Sequence, residues 1–245
     1  MRSIILDESS NYIIGGTMRI LLINSSFRKN GATAKILNEI LRVLETHNDV
    51  EASILHLSDF KLDYCKGCSR CFQTGKCYLQ DDAEHISNLI AEADAVVVGA
   101  PTYASSIPGQ MKTLIDRGHF VMEQLLHGKY TLSVATYENA DGISVIKSLN
   151  KLFLYSGAVL SGNICIKTAF NQDPLNSQSK KDNVRKQAER LYWNMTKGEK
   201  GNIINRIIHH IVFHVGIKPF VLKEKTKYAG VLDHWKRRGI FNATI

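Results

Sequence analysis

Four cysteines stand at Cys65, Cys68, Cys71 and Cys77, a C-x2-C-x2-C-x5-C run in a 245-residue chain that holds five cysteines in all. Thiolates this close in sequence suit metal ligation, a cluster or redox exchange. Structural zinc usually pairs two C-x2-C knuckles across a longer loop, because tetrahedral ligation needs two separated hairpins. Three cysteines at successive three-residue steps instead match the runs that wrap one face of a cubane, with Gly67 and Gly75 letting the backbone bend toward the fourth. A 4Fe–4S cluster is the first expectation, zinc the second, and reduced thiols that only shape a loop the third. Lys66, Arg70 and Lys76 would favour thiolates, so a reactive thiol pair stays open as well. Cys165, in an apolar stretch, reads as a buried structural cysteine.

A second group with chemistry is "NSSFRKNGAT", residues 24–33. The hydroxyls of Ser25, Ser26 and Thr33, the Arg28 guanidinium and backbone N–H groups entering a helix form a monophosphate cradle. Neither G-x-x-x-x-G-K-[ST] nor G-x-G-x-x-G is present, which argues against nucleoside triphosphate chemistry. Taken by itself, this stretch reads equally well as a polar strand-to-helix turn.

The elements that must position these groups alternate. "RILLIN" reads as a buried strand, and Leu37, Ile40, Leu41 and Leu44 give a helical stripe. "VEASILHL" is a second strand, followed by the cysteine loop. Asp81 and Glu84 have capping-box spacing before a helix with Ile86, Leu89, Ile90 and Ala93. "AVVVGA" is a third strand; Pro108 then opens a stripe of Met111, Leu114, Ile115 and Met122. "TLSVATY", a helix over about 143–156 and "AVLSGNICI" complete five units. Such alternation predicts an α/β, doubly wound five-stranded parallel sheet, flavodoxin-like in its order 2-1-3-4-5. Ligands in such sheets bind beyond the strands' carboxyl ends, here at loops 25–33, 101–107 and 137–142.

The net charge of +8 is unevenly placed: residues 176–245 carry 15 Lys/Arg against 5 Asp/Glu, whereas residues 1–175 carry 16 against 18. Three segments are therefore expected: an N-terminal extension 1–17, the core 18–175 and a basic, mainly helical extension 176–245. Translation starting at Met18 is a further expectation. With no secretory leader and no apolar run long enough for a bilayer, the expected compartment is the cytoplasm, where thiols stay reduced.

"SSFRKNGATAKIL", the cysteine loop with "DDAEHI", and "ADAVVVGAPTYASSIPGQMKTLIDR" together resemble the NADPH-dependent FMN reductase family, and the cysteine run resembles its iron–sulfur flavoprotein branch. The resemblance spans about residues 18–170. It implies a flavodoxin-like FMN protein, dimeric or tetrameric, reduced by NADH or NADPH. Carried over by position, Ser26, Arg28, Asn30 and Thr33 would hold the FMN phosphate. Pro101, Thr102, Tyr103 and Ala104 would run along the isoalloxazine edge, and Thr136, Tyr137 and Gly142 would close its other side. Ser25, Phe27 and Ala32 depart from the family's Gly, Pro and Asn. If the thiols carry no metal, they would shape a loop at the subunit interface. No side chain is expected as a general acid or base, since the flavin carries the chemistry.

The function expected is an FMN-dependent NAD(P)H oxidoreductase that passes electrons to a small acceptor or through a cluster. The alternatives are an electron carrier without substrate turnover, and a zinc- or thiol-stabilised interaction module on the same scaffold. In the tail, a helix over about 178–195 precedes a stripe of Ile204, Ile207, Ile208, Ile211 and Val215. This stripe is expected to pack on its own protein or a partner subunit in preference to a membrane surface. His210 and His214 read as surface residues and Trp235 as an anchor. Nucleic acid is not an expected partner.

Overall fold

The computed structural model describes residues 16–242. The question of a start at Met18 turns on residues 1–15, which lie outside the described residues. Five parallel strands, β1 (Met18–Asn24), β2 (Val50–His56), β3 (Ala95–Pro101), β4 (Tyr130–Tyr137) and β5 (Val159–Lys167), form one sheet in the order β2-β1-β3-β4-β5. Central β3 is Ala-Val-Val-Val-Gly-Ala and buried on both faces, as a strand covered by two helical layers must be. The register aligns Asn24 of β1 with Gly99 of β3, and Pro101 of β3 with Thr136 of β4. Strand order reverses between β1 and β3, so their carboxyl ends open a crevice.

Helices α1 (Ala32–Leu44) and α6 (Gln178–Thr196) cover one face. Ile36, Leu37 and Ile40 of α1 and Val184, Ala188 and Leu191 of α6 share one core with Leu22, Val97, Val134 and Ile164. The charge boundary near residue 175 therefore does not coincide with a change in packing: α6 is a layer of the sheet domain, and its basic residues lie on the side away from the core. Helices α3 (Ala83–Glu92), α4 (Gly109–Arg117) and α5 (Gly142–Tyr155) cover the other face through Ile86, Ile90, Met111, Leu114, Val145 and Leu149.

Two local expectations differ from the structure. α4 ends at Arg117, so Met122 lies beyond it and packs on the C-terminal cluster instead. Asp81 is not the partner of Glu84 in a capping box; its carboxylate accepts the Ala83 N–H at 3.1 Å and is shared with the Arg117 guanidinium, while Asp82 at the N-cap makes no side-chain cap.

Beyond α6, α7 (Ile203–His210) runs through a wider turn, Ile211–Ile217, into α8 (Lys218–Lys223), and α9 (Ala229–Arg237) follows. Phe213, Val221, Tyr228, Val231, Trp235 and Ile240 form a separate small core. Trp235 is fully buried and its indole N–H donates to the Met122 carbonyl at 2.9 Å, the anchoring role expected of it. The isoleucine stripe behaves otherwise. Ile204 is 61% exposed and Val215 69%, with Ile207 and Ile211 also exposed, so the stripe does not pack on its own chain.

Candidate functional site

Asn24, the last residue of β1, turns the chain by accepting the Ser26 N–H at 3.0 Å. Ser26 in turn accepts the Arg28 N–H at 3.2 Å. The loop enters α1 at Gly31, where no side chain caps the helix. The first-turn N–H groups and the positive end of the helix dipole thus stay available to an anion. Gly99 sets how near α1 comes: a Cβ there would lie 2.8 Å from both Leu37 and Thr33 side chains, so only glycine lets the helix sit this close on β3.

The hydroxyls of the cradle divide. Ser25 is fully buried and donates to the Gly99 carbonyl at 2.8 Å, so it braces the crevice and is not available to a ligand. Thr33 is buried, its hydroxyl 2.8 Å from that of Thr136. It ties α1 to β4, which leaves its backbone N–H as its contribution at the helix start. Arg28 donates to Asn171 at 2.7 Å and lies over the Phe170 ring at 4.6 Å.

The second loop is a tight turn: Tyr103 and Ser106 exchange backbone hydrogen bonds at 3.0 Å, with Ala104 and Ser105 at φ 47° and 61°. Left-handed backbone at an alanine costs on the order of 1 kcal/mol or more, and such strain persists only where the surroundings hold it. Here Ser105 donates to the Asp141 carboxylate, and Thr102 N–H donates to the Thr136 carbonyl at 2.8 Å. The Thr102 hydroxyl oxygen is buried without a partner.

These loops enclose a cavity of about 700 Å³. Ser26, Arg28, Asn30, Thr33, Pro101, Thr102, Tyr103, Ala104, Thr136 and Tyr137 all line it. Gly142 does not; it is buried at the start of α5, beneath the Tyr137 ring and Cys165. A fourth wall, Thr168–Gln172, was not anticipated. Its residues carry no motif, but their position after the carboxyl end of β5 was a usable signal.

The cysteine loop lies apart from this cavity. Its base is closed by Asp63 N–H donating to Asp81 at 2.8 Å and by Lys61 N–H donating to Asp82 at 2.7 Å. Short α2 (Arg70–Thr74) packs on α9, where Gly75 and Gly230 meet backbone to backbone; a Cβ on Gly230 would stand 2.1 Å from the Gly75 nitrogen. Cys65 and Cys68 are exposed, Cys71 and Cys77 half-buried, and no three metal-ligating side chains converge among the described residues. Two cations flank the inner pair: His119 is beside Cys71 and Arg117 beside Cys77. Burial would lower His119, but Cys71 and Glu123, the latter at 2.7 Å, outweigh it and raise it to about 10. Burial would likewise raise the Asp81 carboxyl, but the Arg117 fork and the N–H groups of Asp63 and Ala83 hold it below the usual range. Cys165 is half-buried under Gly142, and burial pushes its thiol up.

Sheet order, crevice and anion-ready helix start define a flavodoxin-like α/β protein with one ligand crevice at the switch point. The family model for NADPH-dependent FMN reductases matches residues 18–173. An iron–sulfur flavoprotein of Clostridioides difficile is 35% identical over 225 residues, covering 91% of this chain and 100% of that one. Another, from Archaeoglobus fulgidus, is 37% identical over 124 residues, covering 49% of this chain and 54% of that one. The chain belongs to the NADPH-dependent FMN reductase family, in its iron–sulfur flavoprotein branch, and is an FMN-dependent oxidoreductase. Among solved structures, an NADH:FMN oxidoreductase in its apo form superposes with a TM-score of 0.55 at 19% identity over 73% of this chain and 90% of that one. An FMN-dependent NADH-azoreductase from Bacillus anthracis in complex with FMN superposes with 0.54 at 17% over 71% and 99%. Both share the fold. No helix among the described residues is long and apolar enough to cross a membrane.

The crevice fits FMN: it has an uncapped helix start with a cation for the phosphate, a slot edged by Tyr103 and Tyr137, and a buried Thr102 hydroxyl lacking a partner. The cysteine loop has the donors for a cluster and cations against two of them, but its four thiols are not gathered at one point.

Proposed function

We propose that the cavity binds FMN with its phosphate at the start of α1 and its ring between residues 101–104 and 136–137, and that the protein uses NADH or NADPH to reduce an acceptor. Bound there, FMN would take a hydride from the nicotinamide and return the electrons to the acceptor. The chain's own part is to bind and orient. Arg28, the Ser26 hydroxyl, Asn30 and the N–H groups of residues 32–34 would hold the phosphate. The backbone of 101–104 would present N–H groups to one ring edge, and Tyr103 and Tyr137 would limit access of water to its faces. Gly142 acts from beneath, by leaving room for the Tyr137 ring. The observation that carries this reading is the convergence of ten residues from three separate loops on one cavity beside an uncapped helix start.

A 4Fe–4S cluster on Cys65, Cys68, Cys71 and Cys77 is the reading that the donor set and the relatives' names support for the cysteine loop. Holding it requires Cys65 and Cys68 to fold inward. The exposed stripe of Ile204, Ile207, Ile211 and Val215 supports homo-oligomer formation, because apolar side chains in a row gain only from a partner surface.

The test is an absorption spectrum of the anaerobically purified protein, with iron, sulfide and zinc assayed on the same sample, followed by addition of NADH or NADPH. Flavin bands that bleach on adding either nucleotide are expected. A colourless protein that takes up no added FMN would overturn the central reading. Iron with sulfide would decide for the cluster, zinc for a zinc site, and neither for free thiols.

A further inference from the structure

Arg117 is the last residue of α4, and its side chain is 1% exposed. Two of its three nitrogens are used at the base of the cysteine loop. One donates to the Asp63 carbonyl at 2.6 Å and to Asp81 at 2.7 Å, and the other donates to Asp81 at 2.8 Å. Asp63 immediately precedes the thiol segment and Asp81 follows it. Arg117 therefore clasps both ends of the segment to a helix anchored in the main core. The third nitrogen, Nε, is buried with no hydrogen-bond partner, and the Cys77 side chain lies beside this guanidinium. A buried, fixed N–H left without an acceptor is destabilising unless something takes it up. The plane of the fork is set by Asp81, so Nε–H cannot turn elsewhere.

Two residues on, His119 stands against Cys71 and is itself fixed by Glu123 at 2.7 Å, with His234 of α9 at 3.5 Å from the same carboxylate. Cys71 lies on α2, held to α9 through the Gly75–Gly230 contact and through Phe72 in the small C-terminal core. The inner half of the loop is thus braced from α4 and from α9. The outer half, with Cys65 and Cys68, is exposed and free of regular structure, and no atom lies near the position a Cβ on Gly67 would take.

We propose that the loop is a half-built metal site in which Arg117 is a positioning residue: it clasps the loop's ends through Asp63 and Asp81 and offers Nε–H to the Cys77 sulfur, while Cys65 and Cys68 complete the ligand set by folding inward. This rests on the reading of the cysteines as metal ligands. A fixed N–H donor set against a sulfur holds it in one direction before metal arrives, as hydrogen-bond partners hold ligands at other metal sites. It also draws electron density from a bound centre, and hydrogen bonds to the sulfurs are one of the factors that set such potentials.

The experiment uses the FMN-loaded full chain, incubated anaerobically with ferrous iron and sulfide, for wild type, Arg117→Lys and Arg117→Gln. The double variant Arg117→Gln, Asp81→Asn is measured beside them, because the single change leaves a buried carboxylate alone; retained FMN and far-UV circular dichroism mark a folded protein. Iron per chain, its rate of loss to a chelator, the midpoint potential and alkylation of each cysteine by iodoacetamide are read. Wild type is expected to take up iron and to protect all four thiols. The folded Gln variants should lose iron at least about tenfold faster, as removal of an outer-sphere partner does elsewhere, and should show a lower midpoint potential. Lys should fall between, having the charge without the fork. Iron loss and potential unchanged in folded Arg117→Gln would overturn the positioning role while leaving the metal reading intact. Wild type that takes up no iron would overturn the metal reading, and this inference with it. Metal-loaded wild type with Cys65 and Cys68 still open to alkylation would overturn the inward folding.

Discussion

Arg28→Ala offers the most direct measure of the phosphate cradle, and its magnitude follows from what Arg28 does without a ligand. A charge-assisted contact to phosphate is worth about 1.5–3 kcal/mol. Arg28 is not idle in the free protein, however. Its hydrogen bond to Asn171 at 2.7 Å and its position over Phe170 at 4.6 Å must be given up or rearranged. Those contacts are worth about 0.5–1.5 and 0.5–1 kcal/mol at exposed positions. At mid-range values the net loss on Arg28→Ala is then about 0.5 kcal/mol, roughly a twofold rise in the FMN dissociation constant, and it reaches about 2 kcal/mol, roughly 30-fold, where the phosphate contact is strongest and the released contacts weakest. Flavin fluorescence quenching on titration into apoprotein reads this directly, and the difference should shrink as salt rises. Asn171→Ala should act in the opposite direction or leave affinity unchanged, because it frees Arg28 for the phosphate. An unchanged constant for Arg28→Ala would refute the cradle. Equal weakening by Asn171→Ala would refute the competition.

Gly142→Ala places a Cβ 2.3 Å from the Tyr137 ring and 2.7 Å from the Cys165 sulfur, so the ring should be pushed into the crevice and FMN titration should show weaker binding with the secondary structure retained. Gly230→Ala meets backbone at 2.1 Å, with no flexible atom to give way; chemical denaturation should show a loss of about 1–3 kcal/mol, and α2 should become more open to proteolysis. Trp235→Ala empties the centre of the small C-terminal core and should cost about 3–5 kcal/mol by the same measurement. Burial, reinforced by neighbouring His127, His214 and His210, lowers His209 to about 4. A lowered histidine favours folding fully above its unfolded value of about 6.5. That contribution is lost as pH falls from about 6.5 toward 4. Amide protection factors in α7, with exchange corrected for the intrinsic slowing at lower pH, should therefore fall over that window, and His209→Gln should flatten the profile.

Much of the architecture was legible because it rests on local pattern. Short apolar runs such as "AVVVGA", separated by helical stripes, have few solutions besides a parallel sheet with two helical layers, and the crevice follows from the strand order. The place of Ser26 and Arg28 at the crevice was legible, because their loop joins a buried strand to a helix start, although its polar residues read equally well as a turn. Contacts between distant residues were not legible. Asp81 has the spacing of a cap for Glu84, yet its partner is Arg117, and no local rule connects them. Thr33 looked like a phosphate donor, but its hydroxyl meets Thr136 across the crevice. The isoleucine stripe was correctly seen as one face, but periodicity says that a face is apolar, not what covers it. α6 was grouped with the basic tail by charge, although its apolar side belongs to the main core.

The contact between Gly75 and Gly230 has a consequence in time as well as in space. The cysteine loop is made early, but the helix on which it rests lies roughly 150 residues further along the chain. At ordinary synthesis rates that interval is about 8–30 s. Throughout it Cys71 lacks its support from α9, while the sheet it adjoins gains strands one by one. The α9 side of the brace therefore exists only after α9 has been made and docked, and a chain interrupted before α9 would hold the cysteine loop by the Arg117 clasp alone.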